Sequence, residues 1–164
     1  MVIRRWRPED AAALARAIND EAVQANLRDG LPFPYAASDA EAFIGAALSD
    51  GGMYSFAVTE NDVCIGCISV TRGENIHRLT GELGYYIARE RWGRGYATGA
   101  VREICRYIFE NTDMQRIFAE PFADNAASCR VLEKAGFTLE GTLRSNAIKS
   151  ARIRDTRMYS LLRG

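Results

Sequence analysis

The sequence predicts an α+β fold, a single domain over residues 1–164 in which one mixed β-sheet is flanked by helices. Strand alternation, helical periodicity and element order predict it. Tyr54, Phe56 and Val58 alternate with polar or small residues, as a half-buried strand requires. Ala97, Ala100, Val101, Ile104, Cys105 and Ile108 recur at helical spacing and form one apolar stripe. The segments follow the order β-α-α-β-β-β-α-β-α-β-β. A strand meander followed by crossover helices gives a mixed sheet with helices on its faces.

Residues 2–7 read as the first strand. Pro8, Glu9 and Asp10 open a helix, because proline is tolerated and acids are favoured in a first turn. It runs to about Asn19, and a short helix continues to Leu27. Residues 28–35 form a loop in which Pro32 and Pro34 interleave with Leu31, Phe33 and Tyr35. Ser38 and Glu41 have capping-box spacing ahead of Phe43, Ile44 and Leu48, and Asp50, Gly51 and Gly52 end that helix. In the meander, Glu60, Asn61 and Asp62 turn the chain. Residues 63–70 are apolar on both faces, as a central strand should be. Residues 72–80 make a polar loop with Glu74 and the sole histidine, His77. Residues 82–88 are a strand, and the helix beyond the glycine turn ends near Asn111. Residues 115–120 are a strand. Asp124 and Asn125 cap a helix that ends at Gly136. Phe137, Leu139 and Leu143 alternate in one strand, and residues 153–162 form the last.

Hydrophobic residues make up 48% of the chain and charged residues 26%, a globular balance. Basic and acidic residues both number 21, so no basic excess points to nucleic acid. No apolar run is long enough to span a membrane, and no signal peptide is read. Cys64, Cys67, Cys105 and Cys129 read as buried thiols, which suits a reducing cytoplasm. Cys64 and Cys67 share a strand in which positions i and i+3 point to opposite faces. With no second pair and no nearby histidine, no metal site is expected.

The stretch from Gly81 to Ala97 organises the chain as strand, glycine turn and helix. Gly93 and Gly95 place no Cβ in the turn, so backbone N–H groups can close on a ligand. The helix that starts there adds unpaired N–H groups and the positive end of its dipole, which suits a phosphate. Arg94 and Arg91 add charge. Gly93, Gly95 and Gly99 also have the spacing of a loosened dinucleotide fingerprint, with Glu120 about 20 residues on where a ribose-binding acid stands. The unit lies in mid-chain, however, and two strands follow it instead of a second βαβ half, which weighs against NAD. The absence of Gly-Lys-Ser/Thr excludes a P-loop.

Trp92-Gly93-Arg94-Gly95-Tyr96-Ala97 resembles motif A of the GCN5-related N-acetyltransferase (GNAT) family, written Gln/Arg-x-x-Gly-x-Gly/Ala. Gly95 and Ala97 match, and Trp92 stands at the Gln/Arg position. The stretch from Asp124-Asn125-Ala126-Ala127-Ser128 to Lys134-Ala135-Gly136-Phe137 resembles motif B of the subgroup acetylating ribosomal-protein N-termini. Residues 139–144 and 155–162 continue the likeness, which covers nearly the whole chain. The resemblance implies acetyl transfer from acetyl-CoA to a primary amine, on a protein N-terminus or a small molecule, by a monomer or homodimer. It implies that Trp92, Gly93, Arg94, Gly95, Tyr96 and Ala97 hold the pyrophosphate. The N–H of Tyr86 or Ile87 would face the thioester carbonyl, Asn125 the pantetheine arm and Ser128 the sulfur. Many relatives use a motif-B tyrosine as the acid. Val131 and Leu132 occupy that region here, so Ser128 inherits the role.

Acetyl transfer needs a deprotonated amine, a donor for the charge developing on the carbonyl oxygen, and a proton for the leaving thiolate. A free amine attacks a thioester readily, so direct transfer without an acyl-enzyme suffices and positioning supplies much of the rate. Glu82 is the candidate base. It shares a strand face with Gly84 and Tyr86, just before the turn; its plain alternative is a carboxylate paired with an arginine. Asn125 and Ser128 have N-cap and N3 spacing, which a simple helix cap also explains. Tyr159 is a second candidate acid. Phe33 and Tyr35 are candidate walls of the acceptor site, and Glu74 a candidate attractor of its ammonium. His77 reads as a surface residue and Cys129 as packing. A CoA-binding regulator without catalysis, or an NAD-binding protein, is the alternative function.

Overall fold

The protein, seen as a computed structural model, is described over residues 2–49 and 52–164. Strand β1 (Val2–Arg4) leads through a 3-10 turn (Pro8–Asp10) into α1 (Ala11–Ile18), α2 (Glu21–Gln24) and α3 (Ala37–Leu48). Strands β2 (Met53–Glu60), β3 (Val63–Arg72) and β4 (Thr80–Ile87) follow. Then come α4 (Tyr96–Asn111), β5 (Arg116–Ala119), α5 (Ala126–Lys134), β6 (Thr138–Lys149) and β7 (Arg152–Leu162). One seven-stranded sheet has the order β1-β2-β3-β4-β5-β7-β6. Neighbours are antiparallel except β4 and β5, which the α4 crossover makes parallel. The expected mixed α+β sheet is therefore present, and the short helix expected to run to Leu27 is the four-residue α2.

Each face of the sheet carries its own core. On one, Ala100, Val101, Ile104, Cys105 and Ile108 of α4 and Leu132 of α5 pack on Ile68, Val70, Leu83 and Ile117. These α4 residues are the stripe read from the sequence. On the other, Leu14 and Ile18 of α1 and Ile44 of α3 pack with Trp6, Tyr35, Ala57, Cys64 and Cys67.

Several boundaries differ from the sequence reading, each for a local reason. The first strand stops at Arg4, because its guanidinium turns to Asp10 and Asp62. Trp6 then enters the second core and donates from Nε1 to Ser55 Oγ at 2.9 Å. Helix α3 starts before the expected box. The Ala36 N–H donates to Asp39 Oδ2 at 2.7 Å, which leaves Ser38 inside the first turn. Its C-cap is Ser49, and Asp50 and Gly51 of the expected stop lie outside the described residues. The pairing of β2 with β3 shifts between Val58 and Thr59, so β3 carries an extra residue there. That bulge puts Cys64 and Cys67 in the same core rather than on opposite faces. All four cysteines are buried and unbridged. Among the described residues no helix is long and apolar enough to cross a membrane.

Candidate active site

The site begins where two strands part. Strand β4 pairs with β5 only from Thr80 to Glu82, opposite Arg116 to Phe118. Beyond that, β4 runs on to Ile87 while β5 ends at Ala119, and a wedge opens between them. The ladder to β3 decides which β4 amides face the wedge. Gly73 N–H donates to Thr80 O, and Ala88 N–H to Ile65 O, both at 2.8 Å. With unbroken register between them, alternation turns the amides of Thr80, Glu82, Gly84 and Tyr86 toward β3. Those of Leu83, Tyr85 and Ile87 turn toward the wedge. Of the two amides expected at a thioester carbonyl, that of Tyr86 is therefore used within the sheet, and Ile87 presents the free-facing one. Trp92 Nε1 donates to the Ile87 carbonyl at 2.8 Å, so the edge offers a donor rather than an acceptor. The indole thus braces the end of β4.

A cavity of about 910 Å³ runs through the wedge. On its α4–α5 side lies the glycine turn. Gly93 and Gly95 have φ of +72° and +83°, the left-handed region that side chains rarely adopt. Gly95 is the N-cap of α4 and has no side chain to cap it. Since the Gly99 N–H makes the first intrahelical bond, to Gly95 O at 3.0 Å, the N–H groups of Tyr96, Ala97 and Thr98 are left for a ligand. Glu60 at the end of β2 anchors the turn. Its carboxylate accepts from the Tyr96 hydroxyl and from Arg91 Nε, the latter at 2.6 Å. Those bonds hold Glu60 below the usual carboxylate range. Tyr96 thus offers its amide while its phenol is occupied. Arg94 is exposed and is not among the cavity-lining residues, so its charge acts from outside.

Asn125 and Ser128 stand across the wedge at the start of α5, with the expected cap geometry. Asn125 Oδ1 accepts from the Ser128 N–H at 3.2 Å. The Ser128 hydroxyl lies 2.7 Å from that of Tyr85, a contact the sequence reading missed. Burial pushes the Tyr85 phenol up to about 12, against the pull of its bond to Ser128. Tyr159 is removed from this chemistry. It is fully buried, donates to Glu133 Oε1 at 2.9 Å and does not line the cavity.

On the opposite side Glu82 lines the cavity and is paired with Arg28. Tyr35 lines it too, buried in the second core, its backbone held by both ends of the Asn19 amide. Phe33, Glu74 and His77 are not among the lining residues. Phe33 is 53% exposed, and Glu74 and His77 belong to the β3–β4 connection, which folds as an exposed 3-10 turn. Their place is taken by α2, the segment from Asn26 to Leu31, and Ala147 and Ile148 of the β6–β7 hairpin.

The model of the acetyltransferase (GNAT) domain family matches residues 1–138. This chain belongs to that family. An uncharacterized N-acetyltransferase of Bacillus licheniformis, p20, is 35% identical over 113 residues, 67% of this chain and 61% of p20. The chain thus spans about three fifths of that relative's length. YdaF of Bacillus subtilis, provisionally named a ribosomal N-acetyltransferase, is 29% identical over 171 residues, 99% of this chain and 91% of YdaF. Mycobacterium smegmatis RimJ, solved with CoA-disulfide, has the same GNAT fold. Its TM-score is 0.86 at 23% identity, over 98% of this chain and 80% of RimJ. The wedge, the glycine turn and the hydroxyl pair accordingly sit in a GNAT sheet.

Proposed function

We propose that the protein transfers the acetyl group of acetyl-CoA directly to a primary amine. One observation carries this reading. The Ile87 amide faces a wedge that has an uncapped helix N-terminus and two hydroxyls on one side and a carboxylate on the other. Those groups match the needs of the reaction. When bound, acetyl-CoA supplies the activated acyl carbon and a thiolate leaving group. The amides of residues 96–98 hold the pyrophosphate. The Ile87 N–H stabilises the charge that develops on the carbonyl oxygen. Glu82 takes the proton of the ammonium once the incoming amine displaces Arg28. Ser128 donates toward sulfur, with Tyr85 donating to Ser128 in turn. Asn125 keeps the start of α5 in place. The four buried thiols favour a reducing cytoplasm as the site of action. The name of YdaF favours a protein N-terminus as acceptor, and the open cavity also admits a small amine.

Acetyl-CoA with a panel of amines and N-terminal peptides, read by mass spectrometry of the product and by CoA release, tests the proposal. One amide per CoA is expected. Glu82→Gln should lower kcat about 100-fold and abolish the acidic limb of the pH–rate profile while acetyl-CoA still binds. Binding without transfer to any amine would favour the regulator, and binding of NAD(H) instead would overturn the reading.

A further inference from the structure

Glu120 is a cavity-lining carboxylate for which the roles above have no use. It follows β5 at the point where that strand leaves β4. Ile117 and Ala119 face the first core, so by alternation Glu120 points to the other face of the sheet, the one carrying Tyr86 and Glu82. Its Oε1 accepts from Thr156 Oγ1 at 2.8 Å and from Asn146 Nδ2. Asn146 is delivered there by the irregular stretch of β6 between Leu143 and Ala147. Both donors are neutral. Among the described residues no Arg, Lys or His pairs with Glu120, and Oε2 accepts no hydrogen bond. Its neighbours differ in this respect: Glu82 is paired with Arg28, and Asp124 with Arg154. Glu120 is therefore oriented but not neutralised. Ile18, Val23, Leu27, Leu31, Phe43 and Ile148 line the same cavity with apolar surface.

We propose that Glu120 holds the acceptor's ammonium, and that the acceptor is an amine on an apolar body with no carboxylate beside the nitrogen. This rests on the acetyl-transfer reading. A fixed carboxylate beside apolar walls attracts a cation and repels an acid, which discriminates as much by repulsion as by attraction. Glu120 takes part in no bond change, so its effect falls on the KM of the amine rather than on kcat. Free amino acids are disfavoured, whereas peptide N-termini and simple amines are accepted.

Phenethylamine, phenylalanine amide and phenylalanine share one body and test this, compared per mole of free amine. The wild-type protein should favour the first two over phenylalanine at least tenfold in kcat/KM. Glu120→Gln keeps acceptors for Thr156 and Asn146 but loses the charge. It should raise the KM of both amines at least tenfold and leave that of acetyl-CoA within twofold. Glu120→Asp should recover most of the loss, which a purely structural role would not predict. Equal use of phenylalanine, or an unchanged amine KM in the Gln variant, overturns the proposal. Should the Gln variant not fold, the wild-type preference still decides. Transfer to other amines with none to this set overturns the acceptor class alone, while no transfer to any amine overturns the acetyl-transfer reading itself.

Discussion

At the scale of single residues, the proposed route of a proton to the leaving thiolate runs through the Tyr85–Ser128 pair. A serine hydroxyl alone is a very weak acid. Either hydroxyl can donate across their 2.7 Å contact, and in the proposed arrangement Tyr85 donates, which leaves the Ser128 proton to point at sulfur. Tyr85→Phe should lower kcat about tenfold, about 1.4 kcal/mol of barrier, and leave acetyl-CoA affinity within twofold. An unchanged kcat would reduce the pair to packing. The role proposed for Ser128 came from the motif-B resemblance, while the Asn125–Ser128 cap was legible in the sequence because N-cap and N3 spacing is local. Tyr85 was not, since its partner lies 43 residues away and only the meeting of β4 with α5 joins them. The same holds for Arg28 on Glu82, where the sequence offered an arginine partner in general but none by number.

At the scale of elements, periodicity and capping carried most of the fold. The α4 stripe, the Asn125 cap and the meander read correctly because each depends on neighbours a few residues apart. Bulges escaped, because register is set by the partner strand, and so Cys64 and Cys67 were placed on opposite faces. The acceptor loops were legible only in part: Arg28, Leu31 and Tyr35 of the first line the cavity, whereas Phe33 and residues 72–80 do not. Whether residues 28–35 or 72–80 reach the cavity depends on how α2 and the β6–β7 hairpin close over the sheet. The junction of β1 with α1 is held instead by a short-range tie. Asp10 is buried and accepts from both Nη atoms of Arg4, at 2.8 and 2.9 Å, and from the Arg7 N–H at 2.9 Å. Burial works to raise its pKa, but these bonds prevail and lower it. Asp10→Ala leaves Arg4 with Asp62 and the Arg5 carbonyl, and urea unfolding should show a loss of about 1.5–3 kcal/mol. A loss under about 0.5 kcal/mol would show that those partners suffice.

For the whole molecule, the titrating groups fix the pH window of stability. Arg116 and Ser160 hold Glu140 down to about 2, and Asp10, Asp62, Asp113 and Asp124 are also lowered. A lowered carboxylate stabilises the fold above its unfolded pKa, near 4, and that contribution is lost as pH falls through the folded value. Burial pushes Cys64 up to about 11 and Cys67 and Cys105 up to about 12. A raised thiol stabilises below its unfolded pKa, near 8.5, and loses that contribution as pH rises further. Thermal unfolding should therefore show a plateau from about pH 5 to 8, with losses on both sides. Stability that keeps rising above pH 9 would contradict the thiol assignments.

The central claim is that the α4 N-terminus at the β4–β5 wedge is the coenzyme site, and calorimetric titration of acetyl-CoA tests it most directly. Gly95 has φ of +83° and nothing within 4 Å of an added Cβ, so an aspartate there brings its charge to the phosphates without a clash. Asp is among the few residues that tolerate this backbone region. Wild-type protein should bind one acetyl-CoA per chain. Gly95→Asp, confirmed as folded by its melting temperature, should bind at least tenfold more weakly, about 1.4 kcal/mol. Equal affinity in the folded variant, or no binding of acetyl-CoA by the wild type, would contradict the account.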